Sequence, residues 1–383
     1  MLKNNILFYL LLLIVSNCFG QQVGHVQYTF TDTARSNRQI STEIYYPSVN
    51  AGNNVPINSG TFPLIVFGHG FVMDWSTYQN FWDSLVLDNY IIAFPTTESG
   101  FSPNHQDMAD DLKFLIAEIK NSGAGAIITS SSIAGPSAIM GHSMGGGASF
   151  LATENNTAIT TMVSFAAANT NPSSIDASKN ITVPTLIFSG TNDCVAPPAQ
   201  HQDLMYDSCG SGFKTQIYVS GGGHCYFANN NFYCSIGEAS CTPTPTVSRP
   251  EQQSVVNTFL KMWLAYYLKG ECAKAQEFQD SLMLSNRITF RQNQALSCAS
   301  SVHDVSEKIE LSIFPNPVEN VFSISCNDIS IYSISIVDLV MNEHPLTAKY
   351  ISKNTIQFDA SALSEGIYMI LINEKVRKLI FKL

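Results

Sequence analysis

The chain is poor in charge and holds no cationic concentration. Of its 383 residues only 13% are Asp, Glu, Lys or Arg, and the formal net charge is −10. The 20 Lys and Arg residues form no cluster. Neither nucleic-acid binding nor attachment to an anionic membrane surface is expected from such a balance. No Cys-x-x-Cys pair occurs, and the His and Cys spacings match no common zinc pattern. No metal and no other cofactor is therefore expected. Long hydrophobic runs are also missing. The longest, Ile6 to Val15, is about ten residues and too short to span a bilayer.

That run has a purpose of its own. Lys3 precedes it and Cys18-Phe19-Gly20 follows, so residues 1–20 read as a secretory signal peptide cut before Gln21. Two readings compete: a buried N-terminal helix, and a lipoprotein leader through Cys18, for which Asn17 is a poor preceding residue. Of nine cysteines, Cys18 falls in this leader. The others are Cys194, Cys209, Cys225, Cys234, Cys241, Cys272, Cys298 and Cys326. In an exported protein disulfides are their default state.

The composition that remains is 45% hydrophobic, enough to bury a large core. Between residues 23 and 300, eight strand-like stretches alternate with helical ones. The strands are Val26–Phe30, Gln39–Tyr46, Leu64–Phe67, Tyr90–Phe94, Ser137–Met140, Thr161–Ala166, Thr185–Phe188 and Thr215–Val219. Helices are expected near Ser76–Leu87, Asp107–Lys120, Met144–Glu154, Gln200–Asp207 and Pro250–Lys269, with Phe232–Pro250 as a long loop. Such alternation predicts an α/β domain with a mostly parallel sheet covered by helices on both faces. After about Ser300 helical periodicity gives way to short alternating strands, the pattern of a small all-β sandwich. The expected organisation is a catalytic unit over residues 21–300, a linker over 301–310 and the sandwich over 311–383.

Gly141-His142-Ser143-Met144-Gly145 follows an apolar strand and opens a helix, which is the setting of a nucleophile elbow. Ser143 is the candidate nucleophile. A tetrahedral intermediate needs donors for its oxyanion. The backbone N–H of Met144 is one candidate. The other is that of Phe71, in Gly68-His69-Gly70-Phe71 directly after the third strand. A serine needs a base, and among eight histidines His224 stands out, since it follows a strand through Ser220-Gly221-Gly222-Gly223. His142 points away at the elbow, and His69 reads as a structural hydrogen-bonder. Asp193 closes the run from Val183 and is the candidate acid, with Asp176 and Asp203 as alternatives. The order Ser143, Asp193, His224 is the order of the α/β-hydrolase fold. Phe71, Trp75 and Met144 are candidates for an apolar substrate subsite, or for core packing.

At these residues the chain resembles the cutinase and polyester-hydrolase branch of the dienelactone-hydrolase-like families. The likeness runs through Gly141–Gly147 and Val183–Pro197, then Tyr206-Asp207-Ser208 and Gly221-Gly222-Gly223-His224, and covers most of residues 60–270. It implies Ser143, Asp193 and His224 as the triad, and Phe71 and Met144 as oxyanion donors. One departure is visible. Where those polyester hydrolases carry an aromatic clamp, this chain reads Ala168-Asn169-Thr170-Asn171-Pro172-Ser173. Platelet-activating-factor acetylhydrolases and chlorophyllases share the same core. The end of the chain resembles the C-terminal sorting domain of type IX secretion through Phe314-Pro315-Asn316-Pro317-Val318, Ile334 to Asp338, Gly366 to Ile370 and the basic-apolar end from Lys375 to Leu383. The usual turn glycine is replaced by Leu339-Val340. This resemblance implies handling by the type IX machinery and release or surface attachment; an adhesive or carbohydrate-binding module is the competing reading.

The expected protein is a secreted, monomeric ester hydrolase acting through an acyl-enzyme. A peptidase, thioesterase or acyltransferase on the same triad is the nearest rival, and a surface-displayed binding protein with an inactive core the next. Because Asp193 and His224 must touch, Cys194 and Cys225 beside them are expected to pair, with Cys209–Cys225 as the alternative. Cys234–Cys241 and Cys272–Cys298 are the next expected pairs.

Overall fold

The computed structural model describes residues 21–298, 311–326, 334–338, 342–352, 355–372 and 376–383. The expected signal peptide, the expected linker, His303 and Leu339-Val340 lie outside these residues. The chain divides into two compact units between Cys298 and Ala299.

The first unit is built on one sheet. Its strands are β1 (Gln22–Asp32), β2 (Arg38–Ser48), β3 (Gly52–Asn53), β4 (Phe62–Gly68), β5 (Ile91–Pro95), β6 (Ile133–His142), β7 (Thr161–Phe165), β8 (Thr185–Gly190), β9 (Lys214–Val219) and β10 (Ile288–Gln292), in the order β10-β9-β8-β7-β6-β4-β5-β2-β1-β3. β5, β4, β6, β7, β8 and β9 are mutually parallel. β2 joins β5 antiparallel and β10 joins β9 antiparallel. All eight expected strands are present, and the architecture is that of an α/β-hydrolase.

Residue alternation along the central strands feeds two cores. On β4, Ile65 and Phe67 enter one cluster, while Leu64 and Val66 enter the other. A strand whose alternate side chains are both apolar must be covered on both faces. On the first face lie α1 (Gln79–Leu85), α7 (Arg249–Lys269) and α8 (Ala273–Leu284), around the fully buried Trp263. On the second lie α2 (His105–Ser122) and α3 (Met144–Thr153), with the short helices α4 (Ser174–Ser178) and α5 (Gln202–Ser208) beyond them. α2 starts where the Asn104 side chain accepts the N–H groups of Gln106 and Asp107, and stops at Gly123 with φ 75°. Between those caps Met108, Leu112, Leu115 and Ile119 form its buried stripe. α7 opens on a capping box between Ser248 and Glu251, and ends at Gly270 in the left-handed region.

Five elements of the first unit depart from expectation, among them the two-residue β3 and the single-turn α4, too short to leave a periodic signal. α6 (Phe232–Glu238) lies inside the stretch read as a loop; its N-cap is Asn231, and its Phe232, Tyr233 and Ile236 are exposed, so it has no buried stripe anchoring it to the core. α8 and β10 are the others. β10 pairs with β9 from Ile288↔Val219 to Gln292↔Thr215, and its position is set by that partner rather than by its own composition.

The second unit holds two antiparallel sheets. One orders β11 (Leu311–Phe314), β12 (Val321–Cys326), β15 (Thr355–Asp359) and β14 (Thr347–Ser352). The other orders β13 (Ile334–Asp338), β16 (Gly366–Ile372) and β17 (Val376–Lys382). Phe322, Ile324, Ile356 and Phe358 from the first meet Ile336, Ile370 and Ile380 from the second, which makes the expected sandwich.

Candidate active site

β6 ends at His142, and α3 begins at Met144, leaving Ser143 alone in the turn with φ 55° and ψ −119°. A non-glycine residue there is strained, at a cost of about 1–3 kcal/mol. The turn holds because its surroundings are closed. The Ser143 N–H donates to the Phe165 carbonyl at 2.9 Å, and the Ser143 carbonyl accepts from Gly147 and Ala168, both at 3.0 Å. Gly145 lies so near the end of β4 that an added Cβ would stand 2.1 Å from the Gly68 carbonyl oxygen. Only glycine lets α3 approach β4 that closely.

The two expected partners converge on this serine. His224 Nε2 lies 2.8 Å from Ser143 Oγ, and His224 Nδ1 lies 2.7 Å from Asp193 Oδ2. The other Asp193 oxygen accepts the N–H groups of Val195 and Ala196 at 2.9 and 2.8 Å, which fixes the carboxylate plane. Asp193 and His224 are buried. The alternative acids stand elsewhere. Asp176 is exposed and paired with Lys179, which holds its carboxyl below the usual range. Asp203 accepts from Gln216 and Tyr218.

The segment carrying His224 is held by its neighbours. Gln252 bonds both the N–H and the carbonyl of Gly223 at 2.9 Å. Glu238 Oε1 accepts the Cys225 N–H at 3.1 Å, and Arg249 donates to the carbonyls of Cys225 and Ala228. His142 is fully buried. Its Nε2 lies 3.0 Å from the His224 carbonyl oxygen and its Nδ1 3.0 Å from Tyr78 Oη. Burial pushes the His142 imidazole well below the usual histidine range, and the neighbouring His224 pushes it the same way.

Met144 is the first residue of α3, so its N–H has no intrahelical acceptor. Phe71 follows Gly70, whose own N–H donates to Tyr78 Oη at 2.8 Å. Val72, next in the chain, has φ 52°. A β-branched residue is strained in that region, so the turn beside Phe71 is imposed by its surroundings. His69 is buried and bonds backbone carbonyls at Gly70 and Thr97, as a structural residue does.

A cleft of about 290 Å³ reaches Ser143 and His224. Phe71 lines it, together with Phe101, Val195, Tyr233 and Ile236. Two of the expected subsite residues do not. Trp75 packs against the core and donates its indole N–H to Tyr45 Oη at 3.0 Å; the Met144 side chain is buried in the other core cluster. Met144 is thus buried core, and the half-buried Trp75 packs against the core from its edge. Phe101 and Tyr233 escaped sequence reading. Their signal was aromatic residues in otherwise polar, loop-like stretches, where no core-facing period explains them. The segment from Ala168 to Ser173 holds no aromatic; His201 and His105 instead accept the N–H groups of Asn169 and Asn171 at 2.9 and 3.1 Å.

The cysteines pair differently from expectation. Cys194 joins Cys241, and Cys225 joins Cys234. The expected Cys194–Cys225 and Cys234–Cys241 bridges are absent. Contact between the tips of Asp193 and His224 leaves their backbones a side chain apart on each side, and each neighbouring cysteine reaches the α6 segment instead. Cys272–Cys298 is present as expected, and Cys209 is a free, buried thiol whose pKa burial raises. Among the described residues no group of His, Cys, Asp and Glu is arranged to hold a metal ion. No helix among them is long and apolar enough to cross a membrane.

Residues 312–383 match the secretion system C-terminal sorting domain, and the protein is accordingly secreted or held at the cell surface. No curated protein matches the chain. Residues 24–241 match the PET hydrolase-like model, and since that span takes in more than half of the 383 residues and carries Ser143, Asp193 and His224 within one α/β-hydrolase unit, the chain belongs to the PET hydrolase-like family.

Proposed function

We propose that the protein hydrolyses carboxylic esters bearing apolar, ring-sized groups, with Ser143 as nucleophile, His224 as base and Asp193 as orienting acid. The observation that carries this reading is the unbroken contact from Asp193 through His224 to Ser143, at 2.7 and 2.8 Å. Ser143 Oγ attacks the ester carbonyl carbon as its proton passes to His224 Nε2. The negative charge on the carbonyl oxygen is met by the N–H groups of Met144 and Phe71. The tetrahedral adduct collapses, the C–O bond to the alcohol breaks, and His224 returns the proton to the departing alkoxide. Water then attacks the acyl-enzyme by the same route and releases the acid. The apolar lining from Phe71, Phe101, Val195, Tyr233 and Ile236 supports an ester of low polarity.

A fluorophosphonate probe tests the reading. The secreted protein should label at Ser143, and Ser143→Ala should abolish labelling and lower ester turnover by at least a thousandfold with the fold retained. Turnover within about tenfold of wild type would overturn the assignment. An unlabelled wild-type serine would favour the binding-protein reading. A panel from short nitrophenyl esters to a polyester film then sets the substrate range.

A further inference from the structure

His142 occupies the variable position of the elbow, one residue before Ser143, yet it is not free to vary in its contacts. Its two ring nitrogens meet two different parts of the site. Nε2 lies 3.0 Å from the His224 carbonyl oxygen, which can only accept. The proton must therefore sit on Nε2. In a neutral ring Nδ1 then carries a lone pair, and it accepts the Tyr78 O–H at 3.0 Å, a better acceptor than the Met73 thioether sulfur 3.5 Å from the same oxygen. Tyr78 Oη in turn accepts the Gly70 N–H at 2.8 Å. The polar sense of the whole chain follows: Gly70 N–H to Tyr78 Oη, Tyr78 O–H to His142 Nδ1, His142 Nε2–H to the carbonyl of His224. Tyr78 and His142 are both fully buried, so none of these groups can exchange its partner for water. Burial is the main force against protonation of His142; the charges of His224 and Arg249 act with it, and the hydrogen bond to the His224 carbonyl acts against it.

The ends of this chain matter more than its middle. Gly70 immediately precedes Phe71, whose N–H is a proposed oxyanion donor. His224 is the proposed base. We infer that Tyr78 and His142 are positioning residues that set the oxyanion loop and the base at a fixed separation across the elbow, with the His142 ring as the link. The inference rests on the proposed roles of Phe71 and His224. The relay touches neither substrate nor reacting atoms; it holds two groups that the reaction uses at once, which is where preorganisation acts. Losing it should lower kcat while leaving ground-state binding in the cleft unchanged.

Tyr78→Phe tests this most cleanly, since it removes one hydroxyl and keeps the ring in the core. Activity is expressed per active site, counted with the fluorophosphonate, so that misfolded protein does not enter. We expect kcat to fall tenfold to a hundredfold and KM to stay within about twofold. His142→Leu should fall equally far, and the double variant no further than either single one, because both break the same chain. His142→Gln, which supplies one donor and one acceptor, should recover most of the loss. Amide hydrogen exchange gives a readout that needs no turnover: His142→Leu should speed exchange at Gly70 and Phe71, with which His142 shares no direct hydrogen bond. A kcat per site within about twofold of wild type in Tyr78→Phe, losses that multiply in the double variant, or unchanged exchange at Gly70 and Phe71 would each overturn the relay. Failure of labelling at Ser143 would instead count against the proposed function, and the exchange experiment would still decide the relay.

Discussion

Replacing His142 by glutamine should change how the protein responds to acid. In the folded state the imidazole is fully buried and held well below the usual histidine range of 6.5, so it stays neutral under mild acid. In the unfolded chain it titrates near 6.5. Between those two values the unfolded state binds a proton that the folded state does not, so stability falls as pH drops below about 6.5. The contribution is fully present at higher pH. Integrating the proton uptake of the unfolded chain's imidazole from pH 7 to pH 5 gives a loss of at most about 2 kcal/mol. Glutamine does not titrate, so His142→Gln should lose less stability than wild type over the same interval, by up to that amount. Urea unfolding at both pH values measures it. All three tryptophans, Trp75, Trp82 and Trp263, lie in the catalytic unit, so their fluorescence follows that unit alone. His201, whose pKa is also lowered by burial, is common to both proteins and cancels in the difference. Equal pH dependence in the two proteins would refute the claim that His142 is neutral and buried in the fold.

Two further outcomes follow from the elbow and the cysteines. Gly145→Ala would place a Cβ 2.1 Å from the Gly68 carbonyl oxygen; we expect α3 to be pushed off β4, with thermal unfolding showing a loss of at least about 2 kcal/mol, and a variant as stable as wild type would mean the helix sits farther from the strand. Peptide mapping without reduction should recover Cys194 linked to Cys241 and Cys225 linked to Cys234, and a peptide joining Cys194 to Cys225 would refute these pairings.

Most of the catalytic unit could be read from the sequence because its signals are local. Apolar runs between turn residues mark β4 to β9, and a glycine-flanked serine between strand and helix marks the elbow. Asp193 and His224 each end a strand-and-loop segment, so their positions relative to Ser143 follow from fold topology. What could not be read depends on contacts distant in sequence. α6 has no buried stripe; its place is set by two disulfides and by Glu238, whose carboxylate reaches back to Cys225. The Asp193–His224 contact fixes which loops are adjacent but not what lies beside them, and both Cys194 and Cys225 find their partners in the segment around α6. His142 bonds the His224 carbonyl on one side and Tyr78, sixty-four residues away in sequence, on the other, and neither contact leaves a local signal. Phe101 and Tyr233 come to line the cleft only through the folded arrangement of their loops, which no local pattern encodes.

The sheet's last strand bears on where this protein can be cut. The family match stops at Cys241, but the folded unit continues to Cys298. A chain ended at Cys241 would lose α7, and with it Trp263 and the apolar stripe that covers one face of the sheet. It would also lose β10, leaving β9 as an open edge whose Thr215, Gln216, Ile217 and Val219 are buried in the intact unit. An uncovered apolar face beside an unpaired strand is a template for self-association. The boundary suited to recombinant production, domain grafting or display on another carrier is therefore Cys298, after the bridge to Cys272 has closed, and not the end of the family match.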